Sequence, residues 1–261
     1  MATKTDGGKS TAQKDLAKHL LTALRQDGFV LFSQVIVPVT AHGDERLFQE
    51  ILVRLREEEE NLLPPGSFFP MLEEYRLMPY VDRWVTSRLA AWIRARREEK
   101  SDWPVPRWGV NLSADTLHDP SFGEYARRHV ENAAVPEGTF VFEVPLEMAA
   151  QHLEPVTRLM TQLKPAGCHF TFARVDGAEA SLEFLKRLTP DFVKFQYGVV
   201  KDIDRSLAAL EQAESINTRC HALGITTVAE YVESREVLQQ LRLIGVDYAQ
   251  GLAVSPPLPL R

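Results

Sequence analysis

The sequence predicts an α/β fold, a (β/α)8 TIM-like barrel. Three observations predict it. Eight short apolar runs recur along the chain, amphipathic helical patterns separate most of them, and the 261 residues fall within the size range of one such barrel. Strands alternating with helices build parallel β/α units. Eight of them favour a closed barrel over an open sheet.

The elements follow in order. The opening stretch MATKTDGGKST is small, polar and Gly-containing, so residues 1–13 read as a flexible tail or linker remnant and 14–261 as the barrel domain. AQKDLAKHLLTALRQDG is helical, with leucines at helical spacing and a stop at Gly28. The strand candidates are FVLFSQVIV (29–37), FQEILVRL (48–55), RWGVNLS (107–113), TFVFEV (139–144), CHFTFAR (168–174), DFVKFQ (191–196), ITTVAE (225–230) and VDYAQGL (246–252). The clearest helical patterns are 81–100, 146–163, 180–188, 205–223 and 234–244. About 50 residues precede the third strand, so extra helices are expected there. EEEEN (57–61) and the Pro-rich end PPLPLR read as solvated surface.

Composition excludes several classes. A net charge of −6 argues against a DNA-binding protein, which shows a basic footprint. The two cysteines, Cys168 and Cys220, have no zinc-ligand spacing. Few cysteines and no signal-peptide pattern point to the cytoplasm, for the chain alone or as part of a longer protein. No apolar run approaches the ~20 residues that span a bilayer.

In such a barrel the C-terminal strand ends build the site. Here they offer Glu50, Asn111, Glu143, Ala173 with Arg174, Lys194, Glu230 and Gln250, polar residues on otherwise apolar runs. A buried carboxylate is costly unless paired, hydrogen-bonded or metal-bound. The residues alone leave open a set of mutual salt bridges, such as Lys194 with Glu230, or a binding site.

The chain resembles the EAL family of cyclic di-GMP phosphodiesterases. QEILVRL resembles the EALxR motif at Glu50, Leu52 and Arg54, and VNLS the NxS element at Asn111. FEVPLEM lies where the family has ExTE, ARVDGAEASLEFLKRL where it has DDFGTGYSSLxxLKRL, and VKFQ where it has KID. VAEYVE resembles AEGVE, GVDYAQGLAVSPP the GxDxxQGY…P ending, and FPMLEEYRLMPYVDRWV the segment IPxAEExGLIxxLxxWV. The resemblance runs from roughly residue 14 to 257.

The resemblance implies two divalent cations, Mg²⁺ or Mn²⁺, activating water for attack on a phosphodiester. Glu50, Asn111, Glu143 and Glu230 match the family's ligand positions. Ala173 and Arg174 stand where the family has its paired aspartates, Gln196 where it has the Asp of KID, and Leu146 where it has the second Glu of ExTE. Glu147, one residue late on a helix, is expected to point elsewhere. The three aspartate replacements move the local charge by about four units toward positive, and a guanidinium beside a dication costs several kcal/mol at an effective dielectric of about 20. The expectation is therefore no Mg²⁺ or Mn²⁺ site, no catalytic residues and no enzyme. Arg174 either pairs with Glu143 or Glu50, or serves as counter-charge to a ligand phosphate.

Two readings stand beside the enzyme. In the first, the domain is a metal-independent receptor of cyclic di-GMP that signals to a downstream protein or adjoining domain. Gln34, Glu50, Leu52, Arg54, Asn111, Glu143, Arg174, Lys194, Glu230, Tyr231 and Gln250 then line the ligand site, with Tyr231 stacking on a guanine. In the second, the domain is a protein-interaction module that has lost the nucleotide. The receptor is favoured because Glu50, Arg54, Asn111, Glu143, Lys194, Glu230 and Gln250 keep their family identities. A homodimer is possible, while the family's dimer loop is not retained.

Overall fold

The computed structural model describes residues 20, 22–24, 26, 28–39, 46–56 and 62–260. The expected tail, most of the first helix and EEEEN lie outside the described residues.

Ten strands form one sheet: β1 (Phe29–Pro38), β2 (Phe48–Arg56), β3 (Leu62–Leu63), β4 (Arg107–Asn111), β5 (Phe140–Pro145), β6 (His169–Val175), β7 (Phe192–Phe195), β8 (Thr226–Ala229), β9 (Tyr248–Ala249) and β10 (Leu258–Pro259). Eight of them close a barrel in the order β1-β9-β8-β7-β6-β5-β4-β2, and β2 returns to β1. All eight expected strands are members of the ring. The helices lie between the strands along the chain and the sheet is closed, which is the (β/α)8 arrangement.

One strand departs from the all-parallel expectation. β1 runs antiparallel to both β2 and β9, while β2 and β4 to β9 are mutually parallel. The reason is chain length: a parallel connection needs a crossover of about a dozen residues or more. Residues 39–47 between β1 and β2 are too few. The two strands therefore pair as a hairpin from Phe29↔Leu55 to Ile36↔Phe48.

The Pro-rich end is also more than loose surface. Leu258 and Pro259 add a short antiparallel strand to β1. The expected 146–163 helix is two helices, Leu146–Gln151 and Leu153–Leu163, broken at His152. Pro155 explains the break. In a continuous helix it would lack the amide for Gln151 and its ring would clash with that carbonyl, whereas in a first turn it is tolerated. A helix not expected, Phe122–Ala133, buries Phe122, Ala126, Val130 and Ala133 on one face. The long segment before β4 holds the anticipated helices, Phe69–Glu74 and Met78–Glu99. No helix among the described residues is long and apolar enough to cross a membrane.

The interior is layered by strand periodicity. Ile36, Phe48, Val141, Phe192, Val228 and Tyr248 form a buried apolar plug, with Phe48 and Phe192 rings 5.2 Å apart. Residues two apart share a face. The plug residues therefore place Gln34, Glu50, Glu143, Lys194, Glu230 and Gln250 in the layer above, at the barrel mouth. The larger core lies between strands and helices and takes the other phase, including Val110, Phe142, Phe170, Phe172 and Val193.

The β4 rim is tied down by a buried acid. Asp82, on the Met78–Glu99 helix, accepts hydrogen bonds from Ser113 N at 2.9 Å and Ser113 Oγ at 2.8 Å. Burial pushes its carboxyl up to about 6 despite these donors. The folded value exceeds the unfolded one, so the native state binds the extra proton and stability is lost as pH rises through 6. Relative to Asp82→Asn, the wild type should gain roughly 1–1.5 kcal/mol between pH 7.5 and 5, from about one pH unit of linked titration. Urea denaturation of both proteins at the two pH values checks this; a constant difference would refute it.

Candidate functional site

Lys194, on β7, is fully buried at the centre of the mouth. Its Nζ lies 2.8 Å from Glu50 Oε2, 2.7 Å from Glu143 Oε2 and 3.4 Å from Glu230 Oε1. Glu50 is the most fully satisfied of the three acids. Its Oε1 accepts from Asn111 Nδ2 at 2.7 Å, and its Oε2 accepts from Lys194 Nζ and from Gln250 Nε2 at 2.7 Å. Gln250 Nε2 also donates to Gln34 Oε1 at 3.1 Å, and Gln34 Nε2 donates to Ser255 O at 2.9 Å. A hydrogen-bonded row thus runs from Glu50 on β2 through Gln250, just after β9, to Gln34 on β1 and on to Ser255.

The charges follow from this geometry. Burial raises the Glu50 carboxyl, but Lys194 and the two amide donors more than offset it, so Glu50 lies below its ordinary value and is ionised. Glu143 has only the ammonium. Burial, with Glu50 and Glu230 nearby, pushes it up to about 8 against the pull of Lys194. Glu230 is also raised, by burial first. Burial disfavours the Lys194 cation, yet the three carboxylates hold it well above the lysine range. Three acids around one ammonium titrate as a group, with burial favouring the protonated form at Glu143 and Glu230 and the donors favouring the ionised form at Glu50.

Above this layer the mouth divides into two cavities. One, of about 330 Å³, is lined by Gln34, Glu50, Glu230, Tyr231, Glu233, Gln250, Gly251, Leu252 and Pro257. The other, of about 470 Å³, is lined by Leu146, Glu147, Ala150, Arg174, Asp176, Ala180, Ser181, Phe184 and Gln196.

Of the expected site residues, Gln34, Glu50, Glu230, Tyr231 and Gln250 converge on the first cavity, with Glu143, Lys194 and Asn111 bonded to them or to one another. Arg174, Gln196 and Leu146 converge on the second. Leu52 and Arg54 share the Glu50 face of β2 but line neither cavity. Arg54 lies over the Phe32 ring at 5.3 Å and donates to Val53 O. The expected pairing of Arg174 with Glu143 or Glu50 does not form: among the described residues no ion pair or hydrogen bond involves Arg174. Ala173 is buried at the β6 end. Glu147 does not point away as expected, because the helix begins at Leu146, directly at the strand end, and its first turn faces the second cavity. Sequence reasoning also missed Glu233, Gly251 and Pro257. Of these, Gly251 had a signal, a glycine directly after the mouth glutamine.

Two mouth residues are held in the left-handed region, Arg174 at φ 61° and Tyr231 at φ 58°. Each costs about 1–2 kcal/mol for an L-residue with a Cβ, and such strain clusters at functional sites. Tyr231 is 52% exposed, so it rims the first cavity rather than closing it. Its ring meets Tyr197 edge-on at 5.5 Å.

The donor set also fits a divalent cation. Glu50, Glu143 and Glu230 each offer a carboxylate oxygen, all within 4.8 Å of one another, and they are the one such acidic group among the described residues. Hard oxygen donors of this kind suit Mg²⁺ or Mn²⁺. Lys194 Nζ occupies the centre of that group, so a cation there competes with the ammonium. The expectation of no Mg²⁺ or Mn²⁺ site rested on the replacements at Ala173, Arg174, Gln196 and Leu146, with Glu50, Glu143 and Glu230 counted as retained ligand positions; these three acids do come together.

Comparison with known proteins agrees with the fold and corrects one expectation. The sequence matches the EAL domain family over residues 17–257. It is 28% identical over 244 residues to the cyclic di-GMP phosphodiesterase PdeB of Shewanella oneidensis, covering 94% of this chain and 28% of that protein. It is also 28% identical over 253 residues to the cyclic di-GMP phosphodiesterase NbdA of Pseudomonas aeruginosa, covering 97% of this chain and 32% of that protein. The chain thus spans about a third of the length of these relatives. Its fold is similar to the EAL domain of Xanthomonas citri FimX solved with c-diGMP, with a TM-score of 0.87, 24% identity and 95% of each chain covered. A phosphodiesterase named PaMucR, solved as a c-di-GMP complex, superposes with a TM-score of 0.81 at 23% identity, over 94% of this chain and 98% of that one. The expectation that the chain is not an enzyme is overturned by PdeB, NbdA and the other relatives named cyclic di-GMP phosphodiesterases, an enzyme class.

Proposed function

Because the chain belongs to the EAL domain family, we propose that it binds cyclic di-GMP at the mouth of its barrel. The observation that carries this reading is the Gln34–Gln250–Glu50 row with Lys194 beneath it, opening onto the cavity of about 330 Å³. Pre-formed pockets with a few fixed polar groups are the usual form of a small-ligand site. Glu50, Asn111, Glu230 and Gln250 offer hydrogen bonds to the ligand, and Tyr231 offers an exposed ring for a guanine. Leu52 offers apolar contact, and Arg54 a cation for phosphate at the outer end of β2. Lys194 already balances the buried carboxylates, so binding does not depend on a metal. Residues 14–261 act as one domain, in the cytoplasm, passing occupancy to an adjoining domain or downstream protein or across a homodimer.

A second reading is favoured by the three-carboxylate group and by the names of the relatives: cleavage of the same ligand with a divalent cation. Glu50, Glu143 and Glu230 would hold such a cation, which would supply Lewis-acid activation of water. The chain's own groups position the phosphodiester there, with Asn111 and Gln250 holding Glu50.

Ligand that binds only the native state raises the melting temperature. Cyclic di-GMP at a hundredfold excess over Kd should stabilise the wild type by about 2.7 kcal/mol. Arg54→Ala should lower affinity by about 1–3 kcal/mol if Arg54 donates a charge-assisted bond to phosphate. No thermal shift by cyclic di-GMP would refute binding, and an unchanged Arg54→Ala would remove Arg54 from the site. Chromatography after incubation with Mg²⁺ or Mn²⁺ tests the second reading: a linear dinucleotide supports it, and intact ligand refutes it.

A further inference from the structure

Strand β6 alternates cleanly up to Phe172. Thr171 and Ala173 take the inner phase, while Phe170 and Phe172 face the helices, with Phe172 against the Phe184 ring at 6.1 Å. Continued alternation would bury Arg174 in that apolar layer. The register against β7 shifts instead between Phe172 and Val175. Val175 takes the buried position, fully excluded from solvent. Arg174 takes the bulge, at φ 61°, with its side chain exposed in the cavity of about 470 Å³. Bulges re-aim side chains next to functional sites in this way.

The guanidinium has no partner there among the described residues, although two carboxylates share the cavity. Those are engaged elsewhere: Asp176 Oδ1 accepts from Ala178 N at 3.0 Å and Ser181 Oγ at 2.7 Å, and Glu147 accepts from Gln151 Nε2 at 3.2 Å. A strained backbone therefore presents an unsatisfied planar cation to the mouth. Its charge also acts on Glu230, which lines the other cavity, favouring the ionised carboxylate there.

We infer that Arg174, from the cavity of about 470 Å³, clamps a phosphodiester group of the bound dinucleotide through the fork of its guanidinium. This rests on the binding reading above. An Arg fork matches two phosphate oxygens at once, which a lysine ammonium does not. The contact gives the ligand's charge a protein counter-ion on the β6 side of the mouth, where Ala173 contributes only a methyl group. Gln196, exposed in the same cavity, is within the same lining and adds a neutral donor.

Titration of cyclic di-GMP into the wild type, Arg174→Ala, Arg174→Gly and Arg174→Lys tests the inference. Affinity should fall at least tenfold in the Ala and Gly variants and less in Lys. The Gly variant should melt at or above the Ala variant, because glycine removes the left-handed strain, so its lost affinity cannot come from unfolding. Affinity within twofold of wild type in both Ala and Gly would overturn this inference and leave the binding reading intact. No binding by the wild type would overturn both.

Discussion

Lys194→Met should cost the protein about 3–5 kcal/mol at pH 8, the range for removing one partner of a buried charge cluster. The ammonium is fully buried and is the counter-charge common to Glu50, Glu143 and Glu230. Without it, Glu50 retains Asn111 and Gln250 as donors, but Glu143 and Glu230 lose the ammonium that contacts them. The acids can then be buried only by taking protons. The sign of the pH dependence follows: carboxyl values rise in the folded variant, the native state binds more protons than the unfolded one, and the deficit shrinks as pH falls. Urea denaturation at pH 8 and pH 5 should show the larger loss at pH 8. A loss under about 1 kcal/mol at pH 8, well below the range for a broken buried pair, would mean that Lys194 does not hold the acids in place.

Gly251→Ala should destabilise by about 2–3 kcal/mol, near the upper range for overpacking, and abolish most ligand affinity. A Cβ at Gly251 would lie 2.2 Å from Val232 O and 2.3 Å from Val232 N, both backbone atoms that cannot swing aside. The two segments are also laced together, Val232 N to Gln250 O and Ala253 N to Val232 O, each at 3.0 Å. Forcing them apart moves Gln250 and Tyr231, which border the same cavity. Gly198→Ala is the matched control, since nothing lies within 4 Å of its Cβ. Thermal melts and ligand titration of both variants check the contrast. Equal behaviour of the two would contradict the close approach.

The barrel was legible because its strands obey two periodicities at once. Phe48 with Glu50, Val141 with Glu143, Phe192 with Lys194 and Tyr248 with Gln250 each place an apolar residue two positions before a polar one, and that pattern reads as an inner face ending at a mouth. The direction of β1 was not encoded in its alternation, only in the shortness of the link to β2. Arg174 shows the limit most plainly. The sequence put it at the β6 end, but not the bulge that aims it, because a register slip changes no residue type. The Arg174 pairing with Glu143 or Glu50 looked natural by charge, yet Lys194 had already taken those acids. Glu147, one residue late on a helix, is expected to point elsewhere, yet the helix starts at the strand end itself and Glu147 lines the second cavity. The active-site departures at Ala173, Arg174, Gln196 and Leu146 were read as loss of enzymatic function. The relatives overturn that expectation, and the acidic group of Glu50, Glu143 and Glu230 offers a cation the oxygen donors it needs.

The central claim is that the Gln34–Gln250–Glu50 row and its cavity form a cyclic di-GMP site that is electrostatically complete without a metal. Calorimetric titration of the purified protein with cyclic di-GMP, in buffer containing EDTA, tests it most directly. The account predicts saturable one-site binding of micromolar strength or better, about −8 kcal/mol. Absence of saturable heat in EDTA at high protein concentration would contradict it.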